Sequence, residues 1–420
     1  MKTTHFTSAL LAGLVVFAVS NSRARTWTIL DLHPAGASSS YLYATTGSQQ
    51  AGIAMIGGNP HAAIWSGTAA SFIDLHPAAA TKSRLMATSG AQQVGYSDIG
   101  GNSHASLWKG TAASFIDLNP ASASESYAFA VAGNQQAGYA TIGGNGHAAI
   151  WSGSAASFVD LNPPSASESN ISVTTGSQQA GSATFGGSAH AGIWSGTAAS
   201  FVDFHPAGAS ESGIADMAGS QQAGYANIGG NSHAGIWSGT AASFVDLHPP
   251  AATSSYCTGT TGNRQSGNAV FNGSTHAGIW SGTAASFLDL HAFLPAGYSN
   301  SYAWAIWSDG ATIFVVGFAR ETSSGHEEAF LWKHVIAVPQ LALVGRKTFV
   351  TPKKRVALRG TATGEVTSVT YKIGKRTRTA KGTASWTLTV PLKPGRNRIT
   401  ITAHGPDGDS APTRLVVIRK

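Results

Sequence analysis

The stretch Gly57-Gly58-Asn59-Pro60-His61-Ala62-Ala63-Ile64-Trp65 decides the fold, because its pattern returns five more times at a spacing of 43 residues. The repeated histidines are His61, His104, His147, His190, His233 and His276, and the tryptophans are Trp65, Trp108, Trp151, Trp194, Trp237 and Trp280. A looser seventh copy ends at Trp332, 52 residues after Trp280. A fixed period near 40 residues means that one supersecondary unit has been copied, and that no single unit can bury its apolar face alone. Residues present in every copy serve the scaffold. Function belongs where the copies differ.

Outward from His61, one unit runs from Ser40 to Pro77. Tyr41 to Thr46 alternate large and small residues, Gly47-Ser48-Gln49 turn, and Gln50 to Ile56 form a second strand. His61 to Trp65 are a third strand and Ser71 to His76 a fourth. Four short antiparallel strands per repeat are the content of a β-propeller blade. Alternation puts His61, Ala63 and Trp65 on one face and Ala62 and Ile64 on the other. Both faces are largely apolar, as a sheet between two neighbours requires.

An Asp-centred strand occurs seven times, at Asp31, Asp74, Asp117, Asp160, Asp203, Asp246 and Asp289. The first, Trp27 to His33, precedes any His-to-Trp strand, and the last His-to-Trp strand has no Asp strand after it. The counts match if the N-terminal strand completes the last blade and removes the free sheet edges. The expected fold is all-β: a seven-bladed β-propeller over 25–337, then a separate module over 338–420.

Fifty glycines and few charged residues suit short strands and tight turns. The net charge of +7 hides a split: residues 338–420 hold 17 Lys and Arg against 3 Asp and Glu, while residues 1–337 hold 9 against 16. Lys2, the apolar run Ala9 to Val19 and Ser22-Arg23-Ala24 read as a signal peptide over 1–24. The run is too short to span a bilayer. The expected location is therefore outside the cytoplasm of a bacterium: secreted, periplasmic or on the cell surface. Cys257, the single cysteine, takes the repeat position of Leu42, Leu85, Ala128, Ile171 and Ile214, which reads as a buried hydrophobe.

The irregular seventh unit carries a resemblance. Gly325-His326-Glu327-Glu328-Ala329-Phe330-Leu331-Trp332, preceded by Val315-Val316-Gly317, resembles the HAF-repeat family of extracellular bacterial repeats. The six regular units resemble it more loosely, through His-Ala-Ala/Gly-Ile-Trp or His-Ala-Ser-Leu-Trp, and through Gln-Gln-x-Gly in five of them. Covering roughly 26–335, the resemblance implies an exported repeat protein and brings no assigned activity. In the C-terminal module, Arg359-Gly360-Thr361-Ala362, Trp386-Thr387-Leu388, Pro394-Gly395-Arg396-Asn397 and Thr400-Ile401-Thr402-Ala403 resemble bacterial immunoglobulin-like modules, which implies a β-sandwich of about 80 residues.

Each repeated His is expected to bond the Asp thirteen residues on, since an unpartnered buried polar group costs about 1–3 kcal/mol. One imidazole per blade is too dispersed for a metal, whose ligands must converge within about 2 Å of one ion. The repeated tryptophans, Trp332 included, read as core. Candidate ligand-binding residues are those that break the repeat. Glu125, Glu168 and Glu211 share one position in three successive units, where the second unit has Lys82. Trp304, Trp307, Arg320 and Glu321 fall in the irregular unit, where Arg320, Glu321, Tyr298 and Tyr302 would be the machinery of a hydrolase or lyase. No nucleophile, zinc or phosphate-loop motif occurs, so no catalytic residue, metal or cofactor is assigned. Asp407-Gly408-Asp409 reads as a hairpin turn.

The expected function is non-catalytic binding or surface structure by a monomer whose partner is unknown. A polysaccharide or an anionic cell-envelope component fits best, without specific nucleic-acid binding. Lys372, Lys375, Arg376, Arg378 and Lys381 would make the envelope contact. The alternative is a carbohydrate-active hydrolase or lyase working at the propeller mouth.

Overall fold

The computed structural model describes residues 27–420; the segment 1–24, expected to be a signal peptide, lies outside them. The described chain falls into two compact units, Trp27–Ile336 and Ala337–Lys420.

The first unit is built of seven four-stranded antiparallel sheets in a propeller-like repeat. The first sheet contains Ser40–Thr45, Gln50–Ile56, Asn59–Trp65 and Ile73–Asp74, and five further sheets repeat this order. The fourth strand is shorter than the expected Ser71 to His76. A 3-10 turn at Ala69–Ser71, with Phe72 as its C-cap, takes its first two residues. That turn is held by the Ser71 hydroxyl, which donates to the Thr68 carbonyl (2.6 Å) and accepts the Ser66 N–H (2.7 Å). Beyond Asp74, its carboxylate accepts the His76 N–H (2.8 Å) and turns the chain away.

The last sheet joins Tyr298–Ser308, Thr312–Glu321 and Glu327–Val335 to the N-terminal strand Thr28–Asp31, with Ile29 opposite Trp332. The first strand of each sheet touches that of the next, and Tyr298–Ser308 touches Ser40–Thr45.

Packing between sheets explains the repeated residues. Trp108 is wholly buried, in one cluster with Ala51, Ile64 and Leu75 of the preceding sheet. A buried tryptophan covers about 200 Å², worth up to about 5 kcal/mol at 25 cal/mol/Å². The stabilisation exists only when a neighbouring sheet is present, so the units cannot fold singly. The Gln-Gln pairs link the same neighbours. Gln93 Nε2 donates to Gln49 Oε1 (3.1 Å), Gln136 Nε2 to Gln92 Oε1 (3.0 Å) and Gln179 Nε2 to Gln135 Oε1 (2.8 Å).

The second unit has a three-stranded sheet (Gln340–Val344, Arg355–Thr363, Ser385–Pro391) and a six-stranded one. The latter contains Thr348–Thr351, Thr413–Arg419, Gly395–Gly405, Ser368–Ile373 and Arg376–Thr379, while Gly408–Asp409 pairs back on Gly395–Gly405. Strict alternation along Ser385–Pro391 buries Trp386, Leu388 and Val390 and exposes the residues between them. Residues from both sheets meet in one apolar cluster around Trp386, Ile401 and Val417.

Candidate functional site

A glycine in the second strand of each sheet creates the site. A Cβ on Gly52 would stand 1.9 Å from the Tyr41 carbonyl oxygen, and Gly95, Gly138, Gly181, Gly224, Gly267 and Gly317 repeat this close approach. The first strand can crowd its partner because it carries a β-bulge there. Its register slips between Leu42 and Ala44, and at the corresponding place in the other six sheets. The residues that bulge are Tyr43, Met86, Phe129, Ser172, Ala215, Thr258 and Trp304. Bulges re-aim side chains. All seven of these line a single cavity of about 540 Å³, a volume in the range of small-ligand sites.

The wall is uneven. The last sheet and the first three supply Trp304, Tyr43, Met86 and Phe129, while the fourth to sixth supply Ser172, Ala215 and Thr258. Trp304 is 37% exposed, unlike the wholly buried tryptophans of the repeat. Its ring meets that of Tyr43 edge-to-face with centroids 5.2 Å apart. From the fifth sheet Asp216 adds the only acidic side chain among the lining residues. It stands where the other sheets have Ala44, Ala87, Ala130, Val173, Gly259 and Ala305. The Met217 N–H donates to its Oδ1 (2.8 Å) and the Thr260 N–H to its Oδ2 (2.7 Å). Burial pushes the carboxyl up to about 6, and the two amide bonds pull against that rise.

The candidates read from the sequence are dispersed. Trp304 lies in the cavity. Trp307 lies in a different groove, against Gly47 and Phe314. Lys82, Glu125 and Glu168 begin the first strands of their sheets, and Glu211 directly precedes Ser212. Phe129 lies four positions after Glu125, about 13 Å along the strand, and none of these four charged residues lines the cavity. Glu125 accepts the Tyr127 hydroxyl (3.3 Å), Glu211 accepts Asn227 Nδ2 (2.8 Å), Lys82 faces Asp98 in register, and Glu168 is exposed.

Glu321 closes its own turn. Its Oε1 accepts the Ser323 N–H (2.9 Å), and its Oε2 accepts the Ser323 hydroxyl (2.8 Å) and the Ser324 N–H (2.7 Å). Hydrogen bonds from Ser324 and Ser323 hold its carboxyl down at about 2. Arg320 is exposed beside it. Tyr298 donates to Glu328, and Tyr302 stacks on Phe318. The other six bulge residues and Asp216 escaped the sequence reading. Their one signal was variation at a fixed repeat position, and nothing in an alternating strand marks a bulge.

The repeated histidines stand apart from the cavity. In all six regular sheets His Nδ1 donates to the Asp thirteen residues on, at 2.7–2.8 Å. In four sheets this imidazole also stacks on a second one, as His61 does on His76 with centroids 4.0 Å apart. Among the described residues no group of three or more His, Cys, Asp or Glu side chains is placed to hold a metal. Among the same residues no helix is long and apolar enough to cross a membrane.

No family model matches the chain, and no curated protein matches it. Solved structures do resemble it. TolB from Acinetobacter baumannii is 12% identical, with a TM-score of 0.41, over 59% of this chain and 61% of that one. A puromycin hydrolase is 10% identical, with a TM-score of 0.49, over 77% of this chain and 58% of that one. The β-propeller domain of the Trilobed protease from Pyrococcus furiosus is 12% identical, with a TM-score of 0.45, over 70% of this chain and 94% of that one. The chain thus spans about three fifths of the length of the first two. Nothing about its activity follows from likenesses this distant.

Proposed function

We propose that the protein is an exported, non-catalytic binding protein, a closed seven-bladed β-propeller of HAF-like repeats that takes ligand in its central cavity. The observation that carries this reading is the cavity wall. In a ring of near-copies, the seven bulged positions hold seven different residues and converge on one space. Such a wall offers stacking surface, shape and one carboxyl group. Glycoside hydrolysis generally needs two carboxyl groups flanking the bond, about 5–10 Å apart, whereas Asp216 is the one acidic residue in this wall.

The second unit is read as an immunoglobulin-like β-sandwich that contacts an anionic envelope polymer. Lys372 stands opposite Thr400, and Thr400 opposite Arg414, which puts Lys372, Arg398 and Arg414 on one exposed face. Charge complementarity supports an acidic polysaccharide there.

The test is a glycan and peptide array probed with residues 25–420, in parallel with turnover assays on the ligands captured. The expected result is binding without product release, lost in Trp304→Ala and kept in Arg320→Ala. Product release abolished by Asp216→Asn would overturn the non-catalytic reading. For the tail, retention on dextran sulfate should fall with salt and disappear when residues 338–420 are deleted.

A further inference from the structure

The cavity has a chemical polarity that the proposed function leaves unused. Its aromatic side is made by Trp304, Tyr43 and Phe129. Its one carboxyl group, Asp216, comes from the fifth sheet, which in a seven-membered ring lies farthest from the first and second. The two backbone amides on Asp216 occupy one lone-pair direction on each oxygen and leave the others open. They also fix the carboxylate in place, so a ligand that meets it need not restrain it. No Lys, Arg or His lines the cavity, so the carboxylate has no side-chain cation within it. Aromatic faces attract cations, and a desolvated carboxylate binds an ammonium group more strongly than an exposed one does.

We propose that the cavity selects ligands that join an ammonium group to a flat apolar face, the ammonium meeting Asp216 and the face stacking on Trp304 and Tyr43. This rests on the reading of the cavity as the binding site. The competing role for Asp216 is a staple between sheets, through the Thr260 amide.

The experiment compares 2-phenylethylamine with uncharged 2-phenylethanol, by calorimetric titration of the full chain at pH 7.5. The wild-type comparison needs no variant to fold. The expected result is at least about ten-fold tighter binding of the amine. Asp216→Asn should erase the preference while leaving the weaker binding common to both probes. Asp216→Ala repeats the test with the residue found at this position in the first three sheets. Trp304→Ala should weaken both probes.

Equal binding of the two probes would overturn the ammonium inference and leave the cavity reading standing. A preference for the amine that survives both Asp216 variants would overturn it as well, and so would no binding of either probe. The cavity reading itself falls if array ligands bind Trp304→Ala as they bind the wild type.

Discussion

A Cβ on Gly138 would stand 1.9 Å from the carbonyl oxygen of Tyr127 in the neighbouring strand, closer than any side chain allows. That approach belongs to the bulge between Ala128 and Ala130, which turns Phe129 toward the cavity. Gly138→Ala is therefore expected to destabilise the protein by about 1–3 kcal/mol, the cost of overpacking a fixed backbone, and to displace Phe129. Gly146→Ala serves as control, because a Cβ there meets its nearest neighbour at an ordinary 3.4 Å. Thermal unfolding of the two variants checks this, with a lowered midpoint expected for Gly138→Ala alone.

The second histidine in three of the stacked pairs, His76, His248 and His291, makes stability depend on pH. Burial, and then the neighbouring His61, His233 or His276, holds the imidazoles of His76, His248 and His291 below their ordinary value of 6.5. The unfolded chain then binds more protons than the folded one below pH 6.5, so stability is complete above that pH and declines as pH falls beneath it. Asp216 acts in the opposite sense. Its raised value favours the folded protein as pH drops through about 6. Replacing His76, His248 and His291 together by Asn should reduce the loss of unfolding midpoint between pH 7.5 and 5. Asn already fills this place at Asn119 and Asn162, where its Oδ1 accepts a serine hydroxyl at 2.6 Å.

Cys257 is 1% exposed, and burial raises its thiol far above the ordinary range. It should resist a thiol-specific disulfide reagent in the native protein and react fully in guanidinium chloride. Cys257→Ile, which copies the residue at Ile171 and Ile214, should leave the unfolding midpoint within a few degrees of wild type.

Ammonium binding should also follow the ionisation of Asp216. With the carboxyl titrating near 6, 2-phenylethylamine should bind fully at pH 7.5 and about ten-fold more weakly at pH 5. The other titratable side chain in the cavity wall, Tyr43, is held above its ordinary range by burial and stays neutral throughout. A calorimetric series across this range checks the midpoint, and Asp216→Asn should flatten it.

The 43-residue spacing of His61 and Trp65 made the sheets legible, because repeated apolar positions report packing directly. The unpaired N-terminal strand pointed to its place beside Glu327–Val335 for the same reason: an edge strand needs a partner. The cavity was far less visible. A bulge adds one residue without altering composition, so Tyr41 to Thr46 read as plain alternation and Tyr43 as an ordinary strand residue. The charged arc of Lys82, Glu125, Glu168 and Glu211 stands out in the sequence because charge is rare in this chain. Its members sit at strand starts, where solvent tolerates charge and no cavity forms. Trp304 stands out in the sequence as an irregularity, and its bulged position is what separates it from Trp307.

The central claim is that ligand enters the cavity of bulged residues, and indole resonances of protein labelled at tryptophan test it most directly. Trp304 is the exposed tryptophan of the cavity wall, and the tryptophans from Trp65 to Trp332 in the repeat are buried in packing between sheets. Titration with 2-phenylethylamine should move the indole N–H signal that Trp304→Ala removes, while the signals of Trp307 and Trp386 stay still. Movement confined to those other indoles, with the Trp304 signal unchanged, would contradict the account.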